Sequence, residues 1–162
     1  MTETEMMPPK APQKGKVLVV EDERNAWGGT KRELEERGMA VDIAENAQEA
    51  SRLLRERRYD AVVLDLNLPP GEETAPSVER EPIPAYYAGV TLFEQLRQGA
   101  FADQGTLSAV PVFVITGVHN HLAKERVDRL KPENYFAKPL APLVVAEHVK
   151  LHLEDLTHAQ QH

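Results

Sequence analysis

The chain contains no cysteine, which excludes disulfides and thiolate metal sites and fits a reducing cytoplasm. No apolar run approaches the roughly 20 residues of a membrane span, and the polar, proline-containing start lacks a signal-peptide core. No basic stripe is present either: 19 Lys and Arg, scattered along the chain, stand against 26 Asp and Glu for a net charge of −7. Direct nucleic-acid binding is disfavoured on that ground. A glycine-rich phosphate cradle is also missing, because the first strand-like run is followed by Glu21-Asp22-Glu23-Arg24, which argues against a dinucleotide or nucleotide site. These absences leave a cytoplasmic protein with neither membrane nor nucleic acid as partner.

What is present is a set of four short apolar fragments, each ending in a polar group. They are Val17-Leu18-Val19-Val20 before Glu21-Asp22, Val62-Val63-Leu64 before Asp65, Val112-Phe113-Val114-Ile115 before Thr116, and Tyr135-Phe136-Ala137 before Lys138-Pro139. Runs this short and rich in β-branched residues predict strands buried on both faces of a parallel sheet. Ligands of open α/β sheets bind outside the carboxyl ends of the strands, so the polar groups are expected to converge on one crevice.

With 162 residues and 18.1 kDa the chain is long enough for one domain with a real core. Residues 1–14, with Pro8, Pro9 and Pro12, read as a disordered leader, 15–156 as the folded domain, and 157–162 as a short tail. Strands are expected at about 16–20, 40–44, 61–64, 112–115 and 135–137. Helices are expected over Asn25–Arg37, after an Asn46 N-cap, over Gly89–Gln98, over Ala123–Leu130, and from Ala141 to about Leu156. Five βα units of this kind predict an α/β, doubly wound fold. Gly28-Gly29 in the first turn of helix one costs up to about 1 kcal/mol per glycine, so that helix is expected to begin late or fray. The second anomaly lies between Pro69 and Gly89, an acidic stretch interrupted by Gly71, Pro76, Pro82 and Pro84. Connections in α/β units usually run about 2 to 6 residues, so this one is functional or disordered.

Over residues 16 to about 154 the chain resembles the receiver domain of two-component response regulators, of the stand-alone type. The resemblance rests on the acidic pair after strand one, Asp65 in Leu64-Asp65-Leu66-Asn67-Leu68-Pro69, Thr116 before a small residue, and Lys138-Pro139 after strand five. It implies a five-stranded parallel sheet flanked by five helices, of the flavodoxin-like, receiver type. It also implies a phosphoacceptor that takes a phosphoryl group on Asp65 from a histidine kinase or a histidine phosphotransfer protein and signals by conformational change. Asp65 would be the nucleophile that forms an acyl phosphate, with Mg²⁺ or Mn²⁺ screening the charge through hard oxygen ligands. Asp22 and Asp65 are the implied direct metal ligands, the backbone carbonyl of Asn67 completes the protein set, and Glu21 acts through a bound water. Lys138 and the Thr116 hydroxyl would bind the phosphoryl oxygens. Thr116 and Tyr135 are the implied switch residues, read out as a population shift on the face of helix four, strand five and helix five.

The resemblance implies self-phosphorylation and self-dephosphorylation rather than turnover. Its partners would be the kinase or phosphotransfer protein, a downstream protein target, and a second copy through that same face. Nothing past residue 156 has the makings of a DNA-binding output domain. One competing reading is a pseudo-receiver that binds partners without phosphorylation. Another is an aspartyl phosphatase, against which Asp65-Leu66-Asn67 stands where that chemistry wants Asp-x-Asp. The span from Asp65 to Gly89 carries roughly 16 positions beyond ordinary loop length, an inserted loop at about 70–88 that could gate Asp65, choose the partner, or be a tolerated insertion. His119-Asn120-His121 reads as surface and lone Trp27 as packing or half exposed.

Overall fold

The computed structural model describes residues 15–69, 87–117 and 121–161. The expected leader at 1–14, most of the long connection after Asp65, and His119 and Asn120 lie outside the described residues. The order is β1 Lys16–Val20, α1 Arg24–Glu36, β2 Ala40–Ala44, α2 Ala47–Glu56, β3 Ala61–Asp65, α3 Ala88–Arg97, β4 Val112–Thr116, α4 His121–Arg129, β5 Asn134–Ala137 and α5 Pro142–Gln161. All strands are parallel in one sheet ordered β2-β1-β3-β4-β5, which is the predicted doubly wound, five-stranded architecture with five helices. Among the described residues no helix is long and apolar enough to cross a membrane.

Alternation along the strands divides the core. Leu18, Val20, Val62, Leu64, Val112 and Val114 pack with residues of α2, α3 and α4. Val17, Val19, Ala61, Val63 and Phe113 pack with Leu34 of α1 and Val145, Ala146 and Val149 of α5. Period-two alternation sends neighbours to opposite faces, so both faces of the central strands are covered and they read as unbroken apolar runs. β3 is buried at every position. β5 departs from the expectation of burial on both faces, being half-buried over Asn134–Phe136 and exposed at Ala137; β2, at the other edge, is mostly half-buried. An edge strand pairs on one side only, so its faces are less completely covered.

Local chemistry explains the boundaries. The Asn46 side chain accepts the Glu49 amide proton at 2.7 Å, the predicted N-cap of α2. Gly38 ends α1 at φ 92°, a conformation that favours glycine. The expected late start of α1 is not found: the helix begins at Arg24 and carries both glycines in its body. A Cβ on Gly29 would stand 2.9 Å from Pro142 Cγ, so this glycine lets α1 lie close against the start of α5. α4 starts two residues earlier than expected and α5 runs on to Gln161.

The connection after β3 returns to the sheet at a demanding place. The Ala88 amide donates to the Leu68 carbonyl at 3.2 Å. A Cβ on Gly89 would meet the Asp65 carbonyl oxygen at 2.5 Å and Leu66 Cα at 2.8 Å. The first turn of α3 therefore lies directly on the backbone of the strand end that carries Asp65. We expect Gly89→Ala to force the two apart at a cost of about 1–3 kcal/mol, read as a lowered urea midpoint; an unchanged midpoint would contradict this packing.

Candidate functional site

Register places the polar groups. Val20 of β1 pairs with Leu64 of β3, so Glu21 and Asp65 leave adjacent strands at the same level. Asp65 pairs with Ile115 and Thr116 with Ala137, which sets Thr116 and Lys138 one step further along. The Lys138 amide donates to the Thr116 carbonyl at 2.8 Å. The Lys138-Pro139 peptide bond is cis.

The side chains then close on one another. Lys138 Nζ donates to Asp65 Oδ2 at 2.9 Å and to Glu21 Oε1 at 3.0 Å. Asp65 and Glu21 are only 3% and 6% exposed, whereas Asp22 is exposed. The second Asp65 oxygen, Oδ1, accepts the Asn67 amide proton at 2.9 Å. Carboxylate oxygens of Glu21, Asp22 and Asp65 lie within 4.8 Å of one another. A cluster of hard, anionic oxygens at that spacing has the donor chemistry of a Mg²⁺ or Ca²⁺ site. It borders an open pocket of about 630 Å³ that Glu23, Asn67 and Lys138 also line.

Burial pushes the Glu21 carboxyl up to about 8, and the hydrogen bond and charge of Asp65 push the same way while Lys138 pulls it back. For Lys138, burial acts to lower the ammonium, but the bonds to Asp65 and Glu21 outweigh it and hold the group above its ordinary value. The metal-free pocket thus retains a proton as well as an ammonium to offset its carboxylates.

Of the residues singled out in the sequence, Asp22, Asp65, Asn67 and Lys138 line this pocket, and Glu21 joins them through a carboxylate oxygen within 4.8 Å of those of Asp22 and Asp65. Thr116 is buried at the end of β4 beside them, and the next residue, Gly117, lies along the Lys138 stem, with which a Cβ there would make ordinary contact at 3.5 Å. Tyr135 is set apart: it is half-buried against the core on the α3 and α4 side, with Lys124 Nζ 5.2 Å from its ring centroid. His121 is exposed, with Nε2 3.3 Å from Glu125 Oε1. Sequence reasoning missed the role of Gly89 and that of the Asn67 amide. The interrupted Pro69–Gly89 stretch carried no sign of the first, and the turn after Asp65 was a sign of the second.

Residues 17–79 match the model of the response regulator receiver domain. A 56-residue stretch, 35% of this chain, is 38% identical to a probable histidine kinase 1 of Oryza sativa subsp. indica, and spans 6% of that protein's length. The fold is similar to that of a CheY-like response regulator receiver domain protein from Methanospirillum hungatei, with a TM-score of 0.64, 22% identity, and 89% of this chain and 97% of that one covered. It is also similar to a response regulator from Burkholderia pseudomallei with a phosphorylated aspartic acid, a calcium ion and citrate, with a TM-score of 0.59, 21% identity, and 90% and 72% covered.

Raised proton affinity at Glu21 has a consequence for stability. Between its ordinary value of 4.5 and about 8 the folded chain holds a proton that the unfolded chain has released, so stability falls as pH rises through that window. Glu21→Gln should flatten that fall in the metal-free protein. Urea midpoints of the two proteins between about pH 5 and about pH 8 measure it, and parallel profiles would contradict it.

Proposed function

We propose that this chain is a response-regulator receiver domain and a phosphoacceptor of a two-component system, a reading supported by the match of residues 17–79 to the receiver-domain model and by the similarity of the fold. The observation that carries the reading is the setting of Asp65. A buried carboxylate at the end of the central strand is held by Lys138 on one oxygen and the Asn67 amide on the other, within reach of two further carboxylates. Two donors fix the orientation of the group while leaving it at the edge of an open pocket, as an in-line attack requires.

In the proposed step an Asp65 oxygen attacks the phosphorus of a phosphohistidine on a kinase or phosphotransfer protein. An O–P bond forms, the P–N bond breaks with its electron pair leaving on the imidazole, and that nitrogen takes up a proton. Asp22 and Asp65 would hold Mg²⁺ or Mn²⁺ directly, with the Asn67 carbonyl, and Glu21 through water. The cation, when bound, supplies positive charge to the phosphoryl oxygens and their carboxylate neighbours. Lys138 then turns from the carboxylates to the phosphoryl group, and the Thr116 hydroxyl donates to it.

Phosphorylation adds roughly −1.5 to −2 charge beside buried acids. The movement of Lys138 and Thr116 toward that charge, with Tyr135 on the next strand, would shift the face of α4, β5 and α5 that meets a downstream protein or a second copy. The cycle is self-phosphorylation and self-dephosphorylation, without turnover of a separate substrate.

Incubation with Mg²⁺ and acetyl phosphate should add the mass of one phosphoryl group to the wild-type chain and none to Asp65→Asn. Lys138→Ala should slow the addition by about 100-fold or more. No adduct on the wild type would overturn the phosphoacceptor reading and favour a non-phosphorylated interaction module.

A further inference from the structure

A phosphoryl donor on its way to Asp65 enters a pocket whose charge works against it. Asp22, Glu23 and Asp65 line the pocket together with two cations, Lys138 and Arg24, and a carboxylate oxygen of Glu21 lies within 4.8 Å of those of Asp22 and Asp65. Lys138 is engaged before any donor arrives, at 2.9 Å from Asp65 and 3.0 Å from Glu21. A phosphoryl group brings further negative charge to these carboxylates at close range, where like charges repel. Of the protein's own cations lining the pocket, that leaves Arg24 uncommitted.

Stability does not account for the place of Arg24. It is the first residue of α1, where the helix dipole carries partial positive charge and a cation is disfavoured. The first turn holds no acid to offset it, and Glu23 at the N-cap makes no side-chain bond to the helix. Asp22 and Glu23 precede it in sequence, yet the exposed Arg24 side chain forms no ion pair or hydrogen bond among the described residues. A guanidinium presents a planar fork of N–H donors that matches two phosphoryl oxygens at once. At the edge of the pocket, without a partner to leave, this one is free to close on such a group.

We propose that Arg24 is the donor-binding residue of this pocket: its guanidinium takes two oxygens of the donor's phosphoryl group and holds the group over Asp65 until transfer. The inference rests on the phosphoacceptor reading of Asp65 and adds to it the residue that admits the donor. With acetyl phosphate, an Asp65 oxygen forms the new O–P bond while the bond from phosphorus to the bridging acyl oxygen breaks, its electron pair leaving on acetate. With phosphoramidate the P–N bond breaks instead and the nitrogen leaves as ammonia. The phosphoryl oxygens are common to both donors, so Arg24 serves both alike. On transfer the group passes to Lys138 and Thr116, so Arg24 governs the rate of loading and not the lifetime of the aspartyl phosphate.

The test is the second-order rate constant for loading the full chain in Mg²⁺ from acetyl phosphate and from phosphoramidate, followed by intact mass. Arg24→Ala should lower it at least about fivefold with both donors, while decay of the aspartyl phosphate after donor removal stays within about twofold of the wild type. Arg24→Lys, which keeps the charge, should recover part of the loss. Raising sodium chloride from about 50 to about 500 mM should slow the wild type more than Arg24→Ala. Thermal unfolding confirms the fold of each variant, and Arg24→Gln, which keeps most of the stem, serves the same comparison should Arg24→Ala not fold. No adduct on the wild type from either donor would overturn the phosphoacceptor reading and this inference with it. A wild type that loads, together with an unchanged rate in the folded Arg24 variants, a loss confined to one donor, or an equal change in loading and decay, would overturn the assignment of Arg24 alone.

Discussion

Glu21 and Asp65 leave adjacent strands side by side, almost wholly out of water, and the Lys138 ammonium between them is the charge that lets them remain there. Bringing two carboxylates into a low-dielectric setting is costly, and the cost is met only where an opposite charge and hydrogen bonds are in place. Lys138 supplies both, at 2.9 and 3.0 Å, and the Asn67 amide satisfies the remaining Asp65 oxygen. The elevated proton affinity of Glu21 shows how far this compensation falls short when no metal is present.

The sheet around the site is arranged to deliver this contact. Parallel register aligns the ends of β1 and β3, and β4 and β5 each step the next polar group further along. On one side, the first turn of α3 rests on the Asp65 backbone, which only a glycine at position 89 permits. On the other side, α1 and α5 pack against each other at Gly29 and Pro142 but leave a cavity beneath Trp27. Asp65 is thus fixed at its backbone and its side chain, yet it lines two cavities.

Strand ends were the most legible part of the sequence, because an apolar run buried on both faces must stop where a polar group begins. The Asn46 cap and the Gly38 stop were readable for a similar reason: each satisfies a purely local need of its helix. What could not be read depends on contacts between elements distant in sequence. Gly28 and Gly29 look like helix breakers until Pro142 is seen against the second of them. Gly89 looks like a helix start until the Asp65 carbonyl appears beneath it. Trp27, read as packing or half exposed, is half-buried against the core and also lines a cavity. Tyr135 is as apolar in context as any residue of β3, but β5 lies at the sheet edge and is only half-buried there. The candidate site residues were legible as types and order, whereas the Lys138 contact that joins them is a product of the fold.

If the ammonium of Lys138 is the counter-charge on which the metal-free pocket depends, a divalent cation and this lysine do overlapping electrostatic work. The most direct measurement is the thermal midpoint of wild type and Lys138→Met, first in chelator and then with increasing Mg²⁺. The account predicts that Lys138→Met unfolds at a lower temperature in chelator and that Mg²⁺ raises its midpoint by more than it raises that of the wild type. Equal midpoints in chelator, with equal responses to Mg²⁺, would contradict it.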